Sequence, residues 1–579
     1  VNEPGIRAAH LGDFTLTRRS LLITAVALAI GGASAVAAFC LLRLIGLITN
    51  AVFYGRLSTA MRAPGAVHHP AWLILLAPAA GGLAVGLMAR YGSEKIRGHG
   101  MPETIDAIVA GGSKVSPRVA VLKPVSAAVS IGTGGPFGAE GPIIMTGGAV
   151  GSVLAQCLHL SADERKALLV AGAAGGMAAT FNAPLASILL AVELLLFEWR
   201  PRSLIPVCAS VAVATVCRWS LLGPAAVFPV SGVVRPGAGA IALTLVPGLS
   251  GGLLAVIATA LVYKSEDMFA RLPLHWMWWP AIGGLIIGAG GLIEPRALGV
   301  GYDVIGTLLA GRAALSLITG ILVVKTLIWS LSLGSGTSGG VLAPTFMIGG
   351  ALGALEGHAL PHVFAGFWAM AGLAAVVGGV MRSPLTGIVF TMELTGGWNA
   401  LLGLVVASVS AYALSALVLK RSVLTEKVAR RGIHLTREYS TDPLEVFFAR
   451  EVMTPAAASR ATPAAASPAP ATAASDAPPS PAPPETGAAH PDPETAAIPA
   501  LAVYADSTLR EVANEFARRG ATAAAVVDRA APAQVVGKIT LDQLLHARRE
   551  DLREEEHRER PLPVLLIPPA VPRPGRPGR

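Results

Sequence analysis

Apolar residues in this chain gather into long runs, and a bilayer core of ~30 Å takes about 20 of them as a helix. The runs at 20–49, 71–89, 202–222, 238–263, 277–293, 314–333 and 399–419 meet that length and predict membrane-spanning helices. Others are too short or too glycine-interrupted to cross unaided: 103–111, 119–133, 141–156, 165–179, 183–197, 341–355 and 383–394. Broken helices of this kind are stable in a membrane only where protein or a water-filled cavity surrounds them. The first run follows Arg18 and Arg19 with no cleavage-site pattern, so a removable signal peptide is not expected.

The pattern repeats. Residues 142–151, Pro-Ile-Ile-Met-Thr-Gly-Gly-Ala-Val-Gly, match residues 344–353, Pro-Thr-Phe-Met-Ile-Gly-Gly-Ala-Leu-Gly. Ala171, Gly172, Ala174, Pro184, Leu185, Ile188, Glu193 and Leu194 recur in order as Ala371, Gly372, Ala374, Pro384, Leu385, Ile388, Glu393 and Leu394. A weaker match pairs Gly98-His99-Gly100 with Gly299-Val300-Gly301. Collinear matches at a nearly constant offset predict two homologous halves, about 20–222 and 238–419. Interrupted helices at matching places point to a transporter-like fold with its site between the halves. The matches leave open whether the repeat is parallel or inverted.

Charge sharpens this picture. Only 14% of the 579 residues are charged, against roughly 25% in soluble domains. Residues 1–433 carry 29 Lys/Arg and 17 Asp/Glu, and the remainder 16 and 19, so the positive excess lies between apolar runs. That is the bias of membrane loops toward the cytoplasm, not a nucleic-acid footprint, and no nucleic-acid partner is expected. Arg18/Arg19, Lys95/Arg97, Arg200/Arg202 and the run from Lys420 to Arg431 then mark the inner side, with both termini inside a cell (inner) membrane. Cys40, Cys157, Cys208 and Cys217 show no metal or disulfide spacing and read as structural thiols. No metal or cofactor is expected. Nor does any nucleophile–base spacing suggest an enzyme.

After residue 450 the composition shifts. Residues 1–19 and 433–454 flank the membrane part, and 455–499, rich in Ala and Pro, reads as a disordered linker. Residues 500–550 then read strand, helix, strand, strand, helix, with Ser507 capping the first helix, and a charged, Pro/Arg-rich tail fills 551–579.

Three glycine-rich breaks carry the chemistry: Gly98 to Pro102, Gly138 to Pro142 and Gly334 to Pro344. Each precedes a helical pattern. Glycines there let backbone approach a ligand, and unpaired N–H groups at a helix start favour an anion. Glu140 is an ionisable group in the first turn of a membrane helix, which marks a functional position. Ionised, it would fill the anion site; protonated, it would leave it. Glu193 and Glu393 hold equivalent repeat positions, open to a helix-end role or to proton transfer. Lys325 is open to a functional charge, to snorkelling or to bonding of helix carbonyls.

These breaks, with Phe181-Asn-Ala-Pro-Leu185, resemble the CLC family of chloride channels and chloride/proton exchangers over about residues 20–432. The resemblance implies an all-α polytopic membrane protein of the inverted two-repeat CLC fold, and a homodimer with one pore per subunit. Glu140 falls on the family's gating glutamate. The anion site would gather His99, Gly100, Gly138, Gly141 and Gly340, the amides of Val341 and Leu342, and Leu424. The chain departs from the family in places. His99 stands where Ser is frequent, Ala139 where Arg is frequent, and Leu424 where a tyrosine often supplies a hydroxyl. Leu194 takes the place of the inner proton-transfer glutamate, leaving Glu193, Glu198 or water to substitute.

The C-terminal part resembles a small α/β CBS module. It opens at Arg450-Glu-Val-Met-Thr454, and Thr540 stands at a position that contacts adenine nucleotide in that family, although Gln543 replaces an expected Asp. The expected function is transport of chloride or similar small anions gated by Glu140, either as a channel or coupled to protons. The alternative is a membrane sensor or scaffold read by the CBS-like module.

Overall fold

The computed structural model describes residues 16, 18–109, 111–231, 234–432, 444, 447–456 and 501–556, with side chains described up to 549. These form two compact units, one of residues 16–432 and one of 444–556. The expected linker beyond residue 456, the N-terminus before residue 16 and the tail beyond 556 lie outside the described residues.

The first half of the membrane unit runs α1 (Arg18–Tyr54), α2 (Ala71–Tyr91), α3 (Met101–Val109), α4 (Pro117–Gly132), α5 (Glu140–Gln156), α6 (Ala162–Phe181), α7 (Pro184–Leu190) and α8 (Pro201–Leu222). After α9 (Ala238–Leu243) the second half runs α10 (Leu245–Ala270), α11 (Trp279–Ile293), α12 (Tyr302–Leu309), α13 (Leu315–Gly320), α14 (Thr326–Gly334), α15 (Leu342–Glu356), α16 (Phe367–Met381), α17 (Pro384–Thr395) and α18 (Leu401–Val418). It ends in α19 (Val423–Arg430). Among the described residues seven helical stretches are long and apolar enough to cross a bilayer, each within a few residues of a predicted run except where α10 and α18 with α19 extend farther. The protein is a multi-pass membrane protein.

Two helices, α12 and α16, were not among the predicted apolar segments. At 15 residues α16 is too short to span alone. It is the twin of α6, and both are buried along nearly their whole length. Small residues explain how such helices pack. A Cβ on Gly147 of α5 would strike the carbonyl of Gly172 in α6, and Gly349 of α15 stands in the same relation to Gly372 of α16. Membrane helices gain little from hydrophobic exclusion, so close backbone contact is what holds them.

The halves meet about a pseudo-two-fold axis. Gly138 N donates to Gly340 O at 3.2 Å, and Gly340 N returns a bond to Gly138 O at 2.8 Å. Equivalent residues exchanging equivalent bonds are the signature of a two-fold. Farther from the axis, Glu193 accepts from the amides of Leu385 and Thr386 at the start of α17, at 3.3 and 2.9 Å, and from the Thr386 hydroxyl at 2.6 Å. Reciprocally, Glu393 accepts from Leu185 and Ala186 at the start of α7, at 3.0 and 2.8 Å. The repeat is inverted, in the CLC manner.

The second unit is a four-stranded sheet in the order β1 (Thr454–Pro455), β4 (Val535–Thr540), β3 (Ala523–Val527), β2 (Ala502–Tyr504). Strands β2 and β3 are parallel and the other pairs antiparallel. Helices α20 (Ala449–Val452), α21 (Leu509–Arg519) and α22 (Leu541–Glu556) accompany it, and Ala449, Leu509, Val512, Phe516, Val526 and Ile539 form its core. Three expectations are corrected. Pro455, expected to open the linker, pairs with Gly537 in the sheet. Thr508, not Ser507, caps α21, in a reciprocal box with Glu511. Residues 551–556, expected in the tail, continue α22.

Candidate functional site

The three glycine-rich breaks converge. Gly98 N donates to the carbonyls of Thr337 and Gly336 at 3.1 and 3.3 Å, tying the first break to the third. The Gly138–Gly340 exchange ties the second to the third, and Gly141 lies so close to the His99 carbonyl that a Cβ there would overlap it. Gly98 and Gly100 adopt φ of +82° and +88°, a region that side-chain-bearing residues avoid.

Glu140 stands in the first turn of α5 and is fully buried. Its Oε1 accepts the amide of Ala343, in the first turn of α15, at 3.1 Å. Its Oε2 is buried with no hydrogen-bond partner. The carboxylate therefore takes the place that the sequence assigned to an anion, among first-turn amides and facing the positive end of α15. Displacing it would free the Ala343 amide that it now occupies.

The expected ligands divide. The amides of Gly100, Gly138 and Gly340 are not free for an anion, which corrects that part of the expectation: Gly100 N donates to Glu103 Oε2 at 2.9 Å, and the other two donate to each other's carbonyls. These glycines serve by being small. His99, Gly141, Val341 and Leu342 are gathered at the convergence, all buried. Leu424, in the first turn of α19, is a buried apolar residue with no side-chain donor. A phenol does stand beside it: Tyr263 of α10 donates its hydroxyl to the carbonyl of Val423.

Buried charges that sequence reading did not assign to the site, Lys123 and Glu103, shape the surroundings with their partners. Lys123 Nζ, fully buried, donates to Ile96 O at 2.8 Å and Gly98 O at 2.7 Å. Its twin Lys325 donates to Ala297 O and Gly299 O at 2.8 and 2.7 Å, which decides its open role in favour of carbonyl bonding. The repeat offset relating these two lysines was the available signal. Glu103 pairs with Arg431 at 3.0 Å and with Lys427 at 3.4 Å. Glu103, Lys427 and Arg431, together with Arg97, His99 and Tyr263, line a cavity of about 600 Å³.

The remaining candidates lie elsewhere. Glu193 holds the start of α17, the structural of its two readings. Glu198 accepts from Ser203 at 2.7 Å and pairs with Lys166 and Arg200 at 3.6 and 3.7 Å. In the other unit Thr540 N and Oγ1 donate to Gln543 Oε1 at 2.8 and 3.3 Å, and Gln543 in turn donates to Thr454 Oγ1 at 2.7 Å. Gln543 thus ties the strand before the long insert to the helix after it. Among the described residues no cluster of His, Cys, Asp or Glu could hold a metal ion, and the four cysteines are unpaired thiols.

Comparison with known proteins agrees with this geometry. A ClcB-like chloride channel protein of Ralstonia nicotianae is 29% identical over 371 residues, covering 62% of this chain and 86% of the relative. The H(+)/Cl(-) exchange transporter ClcA of Yersinia pestis is 32% identical over 345 residues, covering 56% of this chain and 70% of the relative. The fold matches that of a slow cyanobacterial Cl–/H+ antiporter with a TM-score of 0.62 at 22% identity, over 72% of this chain and 99% of that one. The family model described as voltage gated chloride channel matches residues 81–416. With more than half of its length matched, the chain belongs to the voltage gated chloride channel family, the CLC proteins.

Proposed function

We propose that the protein exchanges chloride or a similar small anion for protons across the inner membrane, with Glu140 as the gate. The observation that carries this reading is the bond from the Ala343 amide to the Glu140 carboxylate at 3.1 Å. An ionised carboxylate at a helix start competes with a mobile anion for the same donors; a protonated one loses its hold and swings clear, taking a proton with it. His99, Gly141, Val341 and Leu342 then surround the anion, while Gly100, Gly138 and Gly340 keep the backbone segments close. Both termini face the cytoplasm, and the protein works as a homodimer with one path per subunit.

Purified protein in chloride-loaded liposomes tests this by recording anion efflux and proton uptake together. The wild type moves both. Glu140→Gln, a carboxamide with no proton to exchange, moves anions without protons and without pH dependence. Unchanged pH dependence in Glu140→Gln rejects the gating role, and a wild type that moves no anion rejects transport.

A further inference from the structure

Exchange requires a group that passes protons between the inner solution and Glu140. The family's inner carboxylate is absent, since Leu194 fills that place. Glu193 spends its carboxylate on the start of α17, and Glu198 is paired with Lys166 and Arg200.

His99 is differently placed. Its residue is 3% exposed, yet it is among the residues that line the cavity with Arg97, Glu103, Tyr263, Lys427 and Arg431. Nδ1 is buried with no hydrogen-bond partner. A buried polar atom without a partner is costly and persists where it serves a ligand, a water or a proton. The fold does not require an imidazole here: the twin position across the pseudo-axis is Val300, in a loop fixed the same way by Lys325. The backbone around His99 is rigid, since Lys123 binds the Gly98 carbonyl, Glu103 binds the Gly100 amide, and the His99 carbonyl abuts Gly141 next to Glu140.

The charges facing the ring come from three elements: Glu103 from α3, Lys123 from α4, and Lys427 and Arg431 from α19 and its end. Across the cavity stand Arg97, Tyr263 and Glu266. Burial and this net positive wall, Lys427 above all, hold the ring neutral, so it takes up a proton only while an anion drawn into the cavity offsets the charge of the imidazolium.

We propose that His99 is the inner proton station of the exchange cycle. Its free ring nitrogen accepts a proton from cavity water, giving imidazolium and leaving the water as hydroxide neutralised by the bulk. The imidazolium then releases that proton to water in the anion path, through which it reaches the Glu140 carboxylate, and neutral imidazole is restored. The reverse sequence carries protons inward.

The proposal rests on the exchange reading, and the test separates their failures. Full-length wild type, His99→Gln, His99→Ser and His99→Glu are reconstituted in liposomes, and the ratio of proton uptake to anion efflux is measured. In His99→Gln and His99→Ser the ratio falls by ~10-fold or more, in line with loss of a proton-transfer group. His99→Glu, which restores a titratable side chain, keeps the ratio well above that of His99→Gln. An unchanged ratio in both neutral variants overturns the proposal; so does joint loss of both fluxes in both, which marks a part that only holds the fold or the anion. A wild type moving anions without protons overturns the proton station and leaves anion transport standing. If no anion moves in the wild type, the transport reading itself fails.

Discussion

Lys123 and Lys325 each bury an ammonium group against two carbonyls of an earlier loop, the one before α3 and the one before α12. Replacing either by Met keeps the volume but strands both acceptors, and we expect a loss of about 2 kcal/mol or more in each case. Thermal unfolding of the detergent-solubilised protein measures it, and Lys123→Met should slow anion flux as well, because its acceptors frame His99. Glu140 was legible in the sequence: a carboxylate after Gly138 and before an apolar run has few structural uses in a membrane. Lys123 was not, because a lone lysine in an apolar stretch looks like one that reaches out to the interface, and its acceptors lie 25 and 27 residues away. The roles of Gly100, Gly138 and Gly340 also escaped reading, since a glycine before a helix offers its amide equally to an anion or to a neighbouring strand of backbone.

Elements in this protein are tied across the axis by their ends. Glu193 on the wide turn that follows α7 caps α17, and Glu393 on α17 caps α7. Each Glu→Ala substitution should cost about 1–2 kcal/mol, typical of a lost cap with a charge at the helix start. Because α7 and α17 pack on each other, the double variant should depart from additivity; melting temperatures of the two singles and the double give the difference directly. Span positions were readable to within a few residues because bilayer thickness fixes helix length. The short elements were harder. Nothing in the run 367–381 separates a half-membrane helix from a soluble core helix, and only its kinship with α6 identifies it. A bulky residue at the shared contact, such as Gly172→Val or its twin Gly372→Val, should prevent α5–α6 or α15–α16 closure, with overpacking of about 3 kcal/mol; size-exclusion chromatography would show loss of the monodisperse peak.

The whole chain divides into a membrane unit and a smaller sheet unit whose first strand comes before the long insert. Composition alone exposed that division, but Pro455 was lost to the linker because β1 is only two residues long and takes its meaning from Lys538 and Gly537. Strand β1 lies three places from β2, roughly 14 Å at strand spacing, and ten Gly/Ser residues span about 17 Å on average. Cutting residues 457–500 down to such a linker should leave the sheet unit folded, with an unchanged unfolding midpoint by circular dichroism of the isolated 444–556 fragment before and after deletion. In the membrane unit, the reciprocal Gly138–Gly340 bridge has a different consequence. A pore with perfect two-fold symmetry cannot tell one side of the membrane from the other. Here the axis relates Glu140 to Leu342 and His99 to Val300, so each of the two side chains proposed to handle anion and proton has an apolar twin. The scaffold is symmetric and those proposed groups are not, so inward and outward turnover under mirror-image gradients, measured in liposomes, should differ.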